Sequence, residues 1–218
     1  MTGVAEDRGS YQTRDEAASK LPASSQKSLS PRDALTIARI VRVNHAGEYG
    51  AIRIYTAQIA VSKKLYPDIA PALVDMLEHE KKHCALFFAA MPARQSRPCR
   101  IMSLWSWGGW LLGFSTAVIG RQAIWICTAA VEAAVHRHLD DQMFFLNERD
   151  RKLHDIVLSI REEELSHLRH AQSQIKSAST MADLLEKFIA TVTDALIWLS
   201  TWGDSTRMMR DLQAARHD

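Results

Sequence analysis

Glycine and proline are scarce in this chain, 9 and 6 among 218 residues, and no stretch alternates apolar and polar residues over the length of a strand. These shortages exclude a hairpin-rich β fold, which needs turn residues at regular intervals, and they leave helices. Cysteine is nearly absent too. Cys84, Cys99 and Cys127 form no CxxC and cannot build an even disulfide framework, so they read as reduced thiols in a cytosol-like compartment. No sign of charge dominates: the formal net charge is +2, and there is no basic face to suit nucleic acid. The first 30 residues lack the apolar core of a signal peptide, and Glu6, Asp7, Asp15 and Glu16 argue against an acid-poor mitochondrial presequence. With six serines and eight charges of both signs, residues 1–30 are expected to be a disordered arm before one domain, 31–218. What the chain does have is apolar material, 47% of its residues, enough for a sizeable core.

The helical pattern is punctuated clearly. "SPRD", 30–33, predicts a helix start with Ser30 as N-cap, Pro31 in the first turn and Asp33 at the third position. That helix should run to about Ser62, ahead of the breaker Pro67. Asp68 should cap a second helix reaching about Met91. "PARQSRPCR", 92–100, reads as a basic linker. Helical pattern resumes through about Leu146, "NERDR" interrupts it, and further helices are expected over about 151–176, 180–201 and 204–216. The fold class is therefore all-α, a bundle.

Two Glu-x-x-His pairs then stand out: Glu80 with His83 in "EKKH", and Glu164 with His167 in "EEELSH". Residues three apart on a helix project from one face. Leu73, Met76, Leu77, Glu80, His83, Cys84 and Phe87 form one stripe at helical spacing, and Val157, Ile160, Glu164, His167, Leu168 and Ala171 form another. Both pairs thus lie on apolar faces, where an unpaired carboxylate costs several kcal/mol. The two other long helices each offer one carboxylate in an apolar setting. Glu48 sits among Val41, Ala51, Ile52, Tyr55 and Ile59, and Glu132 is the only charge between Arg121 and Arg137.

The spacing tests this assignment internally. Glu48 and Glu80 are 80 − 48 = 32 apart, Glu132 and Glu164 are 164 − 132 = 32 apart, and His83 and His167 differ by 84, as do Glu48 and Glu132. The chain carries two copies of one unit, a helix with a Glu followed by a helix with Glu-x-x-His. Two such units related by a pseudo-twofold would gather four carboxylates and two imidazoles at the bundle centre. Two divalent ions would cancel the four negative charges, and oxygen-rich ligation with one imidazole per metal suits iron or manganese better than zinc. His136, four residues after Glu132, is a rival ligand. His45 and His170 read as packing or supporting residues, and Tyr55 as core. Gly47 and Gly50, beside Glu48, are either tolerated or present to admit a close neighbour or leave room at the metals.

"RVNHAGEYGA", "EKKH", "CTAAVE" and "EEELSH", in that order, resemble the demethoxyubiquinone hydroxylases of ubiquinone biosynthesis, the Coq7 family, over about residues 36–200. The resemblance implies a ferritin-like di-iron protein that hydroxylates the ring of a polyprenyl demethoxy-ubiquinol. Oxygen would be the co-substrate, and NADH or a protein reductase the electron source. It implies two iron ions per chain, with Glu48, Glu80, His83, Glu132, Glu164 and His167 as the ligands and catalytic centre, Glu80 and Glu164 bridging. The chain departs from the family pattern at Ala133, where a second Glu is common, and at His138-Leu139, where His-Tyr is common. His138 is left as a weak candidate for contact with a nicotinamide or quinone.

Residues 101–120 carry no charge and are long enough to span a bilayer. They also hold four glycines, three serines and the interface-seeking Trp105, Trp107 and Trp110, and they lead straight into the Glu132 helix. The expectation is an apolar, membrane-interfacial helix joined by the second apolar element, 188–202, although a bundle helix or a dimer contact in a homo-oligomer would also explain it. Such a surface suits a polyprenyl quinol, on the cytoplasmic face of a bacterial inner membrane or the matrix face of a mitochondrial one, beside other ubiquinone-biosynthesis proteins. Competing readings are a ferritin-like iron-storage protein, another di-iron oxygenase acting on RNA or lipid, and a metal-free helical protein with an acidic interface.

Overall fold

The structure, a computed structural model, describes residues 29–176 and 180–216. The expected disordered arm falls almost wholly on residues 1–28, outside the described residues. Among the described residues there are seven α-helices and no strand: α1 (Pro31–Leu65), α2 (Ala70–Ala90), α3 (Met102–Ile119), α4 (Arg121–Arg149), α5 (Arg151–Gln174), α6 (Thr180–Ser200) and α7 (Asp204–Ala214). A 3-10 turn, Pro92–Arg94, opens the linker.

Local chemistry sets most boundaries. Ser30 Oγ accepts from Asp33 N at 3.0 Å, so α1 starts where its N-cap dictates. It ends at Leu65 because the residue before Pro67 disfavours helical backbone. Asp150 separates α4 from α5: its carboxylate accepts from Leu153 N at 3.0 Å and from Arg94 Nε and Nη2 at 2.7 and 2.9 Å. The expected cap at Asp68 is wrong. α2 begins two residues later with Pro71 in its first turn and no side-chain cap. Asp68 is instead held by Arg121 Nη1 and Nη2, at 2.6 and 2.8 Å, a forked charge-assisted contact that ties the start of α2 to the start of α4.

α1 packs on α2, and α4 on α5; the two hairpins face one another as a four-helix bundle, with α3, α6 and α7 outside it. α1 and α4 run antiparallel, and the buried amides of Asn44 and Gln142 join them reciprocally at 2.8 and 2.9 Å. Large side chains fill the interior, among them Trp125, Phe87, Phe145, Leu73, Leu153 and Ile160, each contributing roughly 1.5–3 kcal/mol by leaving water.

α3 crosses α1 closely. A Cβ on Gly109 would lie 2.8 Å from the Gly50 carbonyl oxygen, one on Gly113 would overlap the Ile54 backbone, and one on Gly50 would strike the ring of Trp105. Gly50 therefore admits a close neighbour, while Gly47 has open space beside it. Trp105 is a core residue, 4% exposed, so only part of the tryptophan set in 101–120 can face outward. The outward stripe of α3 is Trp107, Leu111, Phe114 and Val118, and that of α6 includes Leu184, Phe188, Trp198 and Leu199. No helix of the described residues is long and apolar enough to cross a membrane.

Candidate metal centre

Glu48 comes from α1, Glu80 and His83 from α2, Glu132 from α4, and Glu164 and His167 from α5. The structure brings all six together at the centre of the four-helix bundle, each 5% exposed or less. They form two groups, Glu48–Glu80–His83–Glu164 and Glu80–Glu132–Glu164–His167, with the ligand atoms of each group within 4.8 Å of one another. Glu80 and Glu164 belong to both. His83 Nδ1 lies 2.9 Å from Glu164 Oε1 and 3.8 Å from Glu48 Oε2. His167 Nδ1 lies 3.4 Å from Glu80 Oε1, 3.7 Å from Glu164 Oε2 and 4.0 Å from Glu132 Oε1.

The side chains fit metal better than they fit each other. His83 Nδ1, His167 Nδ1, Glu80 Oε1 and both oxygens of Glu164 are fully buried and, among the described residues, approach one another as ion pairs without hydrogen-bond geometry. Atoms of this kind are costly unless something else satisfies them. Without cations the cluster resolves its charge by moving protons. Burial, then the charges of Glu80 and Glu164, holds the Glu48 carboxyl well above the usual range. Burial and then Glu164 do the same to Glu132, and burial and Glu164 raise Glu80. Burial also opposes ionisation of Glu164, but contacts with Glu132, His167 and His83 outweigh it and keep that carboxylate ionised. Burial pulls His167 down, yet Glu164 and Glu80 outweigh it and raise its pKa to about 10. Two divalent ions in place of those protons would leave four ionised carboxylates and two neutral imidazoles, a formally balanced set.

The sequence profile of the family described as "Ubiquinone biosynthesis protein COQ7" matches residues 35–200, which contain every one of these six side chains. The chain belongs to that family. It is 36% identical to the mouse protein named NADPH-dependent 3-demethoxyubiquinone 3-hydroxylase, mitochondrial, with 74% of this chain and 76% of the relative covered. It is 37% identical to the 3-demethoxyubiquinol 3-hydroxylase of Rhodospirillum rubrum over 63% of this chain and 64% of the relative. The 5-demethoxyubiquinone hydroxylase of Saccharomyces cerevisiae is 31% identical over 79% and 80%.

Within this COQ7-family chain the other histidines divide cleanly. His136 is no member of either group; its Nε2 turns to Asp140 Oδ2 at 3.5 Å, one turn along α4. His45 packs on Phe88 and His170 on Trp125, with ring centroids 5.8 and 5.4 Å apart. His138 is half-buried, its Nδ1 has no hydrogen-bond partner among the described residues, and burial lowers its pKa.

Three side chains beside the cluster escaped the sequence reading. Tyr55 is core, as expected, but its hydroxyl also donates to Glu132 Oε1. His79 Nδ1 is 2.9 Å from His167 Nε2, with the two rings stacked 5.2 Å apart. Glu163 Oε2 is 3.2 Å from His83 Nε2. Each cluster histidine is thus gripped from behind by the opposite hairpin. A signal existed: His79 and Glu163 each stand four residues before a cluster histidine and, like the histidines themselves, are 84 apart.

Proposed function

We propose that this protein is an oxygen-dependent monooxygenase that hydroxylates the ring of a polyprenyl demethoxy-ubiquinol in ubiquinone biosynthesis, and that Glu48, Glu80, His83, Glu132, Glu164 and His167 hold two iron ions. The carrying observation is the pair of four-ligand groups sharing Glu80 and Glu164, in a chain of this family. Iron held there would supply oxygen activation. The protein supplies a fixed, water-poor ligand set in which removal of one carboxylate would leave the two cations incompletely neutralised. NADPH or NADH, directly or through a reductase, is the electron source by analogy with the relatives whose names carry NADPH.

The substrate side of the bundle is the one covered by α3 and α6. A narrow apolar cavity lined by Gly47, Gly50, Trp105, Gly109, Val131 and Leu196 lies between these helices and the bundle, beside Glu48 and Glu132 in sequence. At about 20 Å³ it holds roughly one water, so a quinol ring enters only when side chains such as Trp105 or Leu196 move. The outward stripes of α3 and α6 form an apolar surface that we read as docking on a membrane, where a polyprenyl tail resides. Trp202, 71% exposed, continues the α6 stripe into a cleft of about 450 Å³ lined by Arg42, Arg97, Arg100 and Arg207 together with Asp204, which pairs with Arg42 and Arg207; the remaining excess of positive charge suits anionic headgroups. The same apolar surface disfavours the storage reading, since a ferritin-like cage presents polar outer faces.

The test is a cell whose own hydroxylase is deleted, complemented with this chain. The wild type should restore ubiquinone, and His167→Ala should accumulate demethoxy-quinone while the purified variant stays folded. Normal ubiquinone with His167→Ala as the sole copy would refute the assignment.

A further inference from the structure

The 84-residue repeat relates the two halves of the centre, yet it pairs unlike residues just outside it. His79 corresponds to Glu163 (163 − 79 = 84) and Tyr55 to Leu139 (139 − 55 = 84). His83 has a carboxylate behind it, Glu163 Oε2 at 3.2 Å from Nε2. His167 has an imidazole behind it, His79 Nδ1 at 2.9 Å. A carboxylate hydrogen-bonded to the far nitrogen of a ligand histidine strengthens that ligand, and removing one typically costs 10–100-fold in metal affinity. An imidazole, which brings no negative charge, does this much less. On the second axis, the Tyr55 hydroxyl donates to Glu132 and draws electron density from that oxygen, whereas the corresponding Leu139, fully buried, has no hydroxyl to give. Both differences act in the same direction.

We propose that the two metal positions are inequivalent. The one formed by Glu48, Glu80, His83 and Glu164 fills first and holds its ion more tightly than the one formed by Glu80, Glu132, Glu164 and His167. Glu163 and His79 are the positioning residues that set the order. The weaker position is also the one closer to water: a surface cleft of about 200 Å³ is lined by His167 together with Asp75, His79 and Glu163, and His83 does not line it. An ion there exchanges with solvent while its neighbour stays. This inference rests on the two-metal reading above.

Manganese(II) is a suitable probe, being oxygen-preferring and stable in air near neutral pH. Titrating the metal-free full chain, followed by calorimetry and by electron paramagnetic resonance, should give two steps at least 10-fold apart. The first equivalent should show the six-line spectrum of an isolated ion, and the second should quench it as the ions couple. Glu132→Ala should keep the tight step alone, and Glu48→Ala the weak step alone. Glu163→Gln should weaken the tight step about 10–100-fold, with Glu163→Asp recovering part of the loss. Two equal steps in the wild type, or the tight step surviving in Glu48→Ala and vanishing in Glu132→Ala, would overturn the inequivalence and leave the two-metal reading standing. Uptake of fewer than two ions by the wild type would overturn that reading itself.

Discussion

A single hydroxyl shows how context changes what a residue contributes. Tyr55 is buried and donates to Glu132, which burial and Glu164 hold near neutrality when no cation is present. Tyr55→Phe leaves the ring and its packing but removes the donor. Losing a hydrogen bond to a buried acceptor costs about 1–3 kcal/mol, so the metal-free chain should be destabilised by that amount in urea denaturation. The metal-loaded chain should lose less, because Glu132 then has a cation to satisfy it; an equal loss in both forms would contradict this account. Protons tell a related story. Folded and without metal, His167 keeps its proton up to about pH 10, against 6.5 for an ordinary histidine. Between those values the folded chain binds more protons than the unfolded one, so stability falls as pH rises. Raised Glu48 and Glu132 act in the same sense above 4.5, while ionised Glu164 opposes them only in acid. The melting temperature of the chelator-treated protein should therefore drop from pH 6.5 to 10, and that of the metal-loaded protein should drop less. A flat or rising metal-free curve would contradict the protonation pattern. The clustered carboxylates and histidines were legible in the sequence because a carboxylate on an apolar stripe is expensive and conspicuous. Tyr55, His79 and Glu163 were harder to see, since each makes its contact across helices and none breaks the local pattern.

Helices α1 and α3 show the limit of composition as a guide. The glycines of 101–120 read as evidence against a spanning segment, but the structural cause of Gly109 and Gly113 is the close crossing over α1. The two kinds of glycine in α3 should respond oppositely to alanine. At Gly113 the new Cβ would meet the Ile54 backbone, which cannot step aside, so overpacking of about 1–3 kcal/mol should exceed the roughly 1 kcal/mol gained in helix propensity. At Gly108 the Cβ would meet only the end of the Leu196 side chain at 3.3 Å, a group free to rotate. Thermal unfolding should show Gly113→Ala melting several degrees below the wild type and Gly108→Ala level with it or above. Similar shifts in both would mean that the α1–α3 crossing is loose enough to accept a methyl group. Element boundaries were legible wherever a cap or a proline decided them, as at Ser30 and Pro67. Asp68 misled because its partner, Arg121, lies 53 residues away and wins the carboxylate by charge and forked geometry.

At the scale of the whole molecule the chain separates two environments. A charged, buried centre lies within α1, α2, α4 and α5, and an apolar surface lies outside on α3 and α6. The repeat that builds the centre has no counterpart in that surface, which is why the centre could be placed from spacing alone while the surface could be anticipated only as an apolar segment. Its composition also mixed two roles: Trp105 is buried against α1, Trp110 stacks on Phe114 with centroids 5.0 Å apart, and Trp107 is 75% exposed. The residues that should bind a bilayer are therefore Trp107, Trp198 and Trp202, which stand outward at the α3 and α6 ends nearest the arginine-lined cleft. Tryptophan partitions to the headgroup region and arginine to the anionic surface beside it, so the two features should act together. Replacing these three tryptophans by serine should release the protein from phosphatidylglycerol-containing vesicles in a flotation assay. Metal content and melting temperature should change little, because none of the three side chains belongs to the core or the centre. Trp105→Ser should do the reverse, destabilising the bundle by removing a ring packed over Gly50. Vesicle binding that survives the triple replacement would place the membrane face elsewhere, and a collapse of the metal centre in that variant would show that α3 and α6 support the bundle more than they serve the lipid.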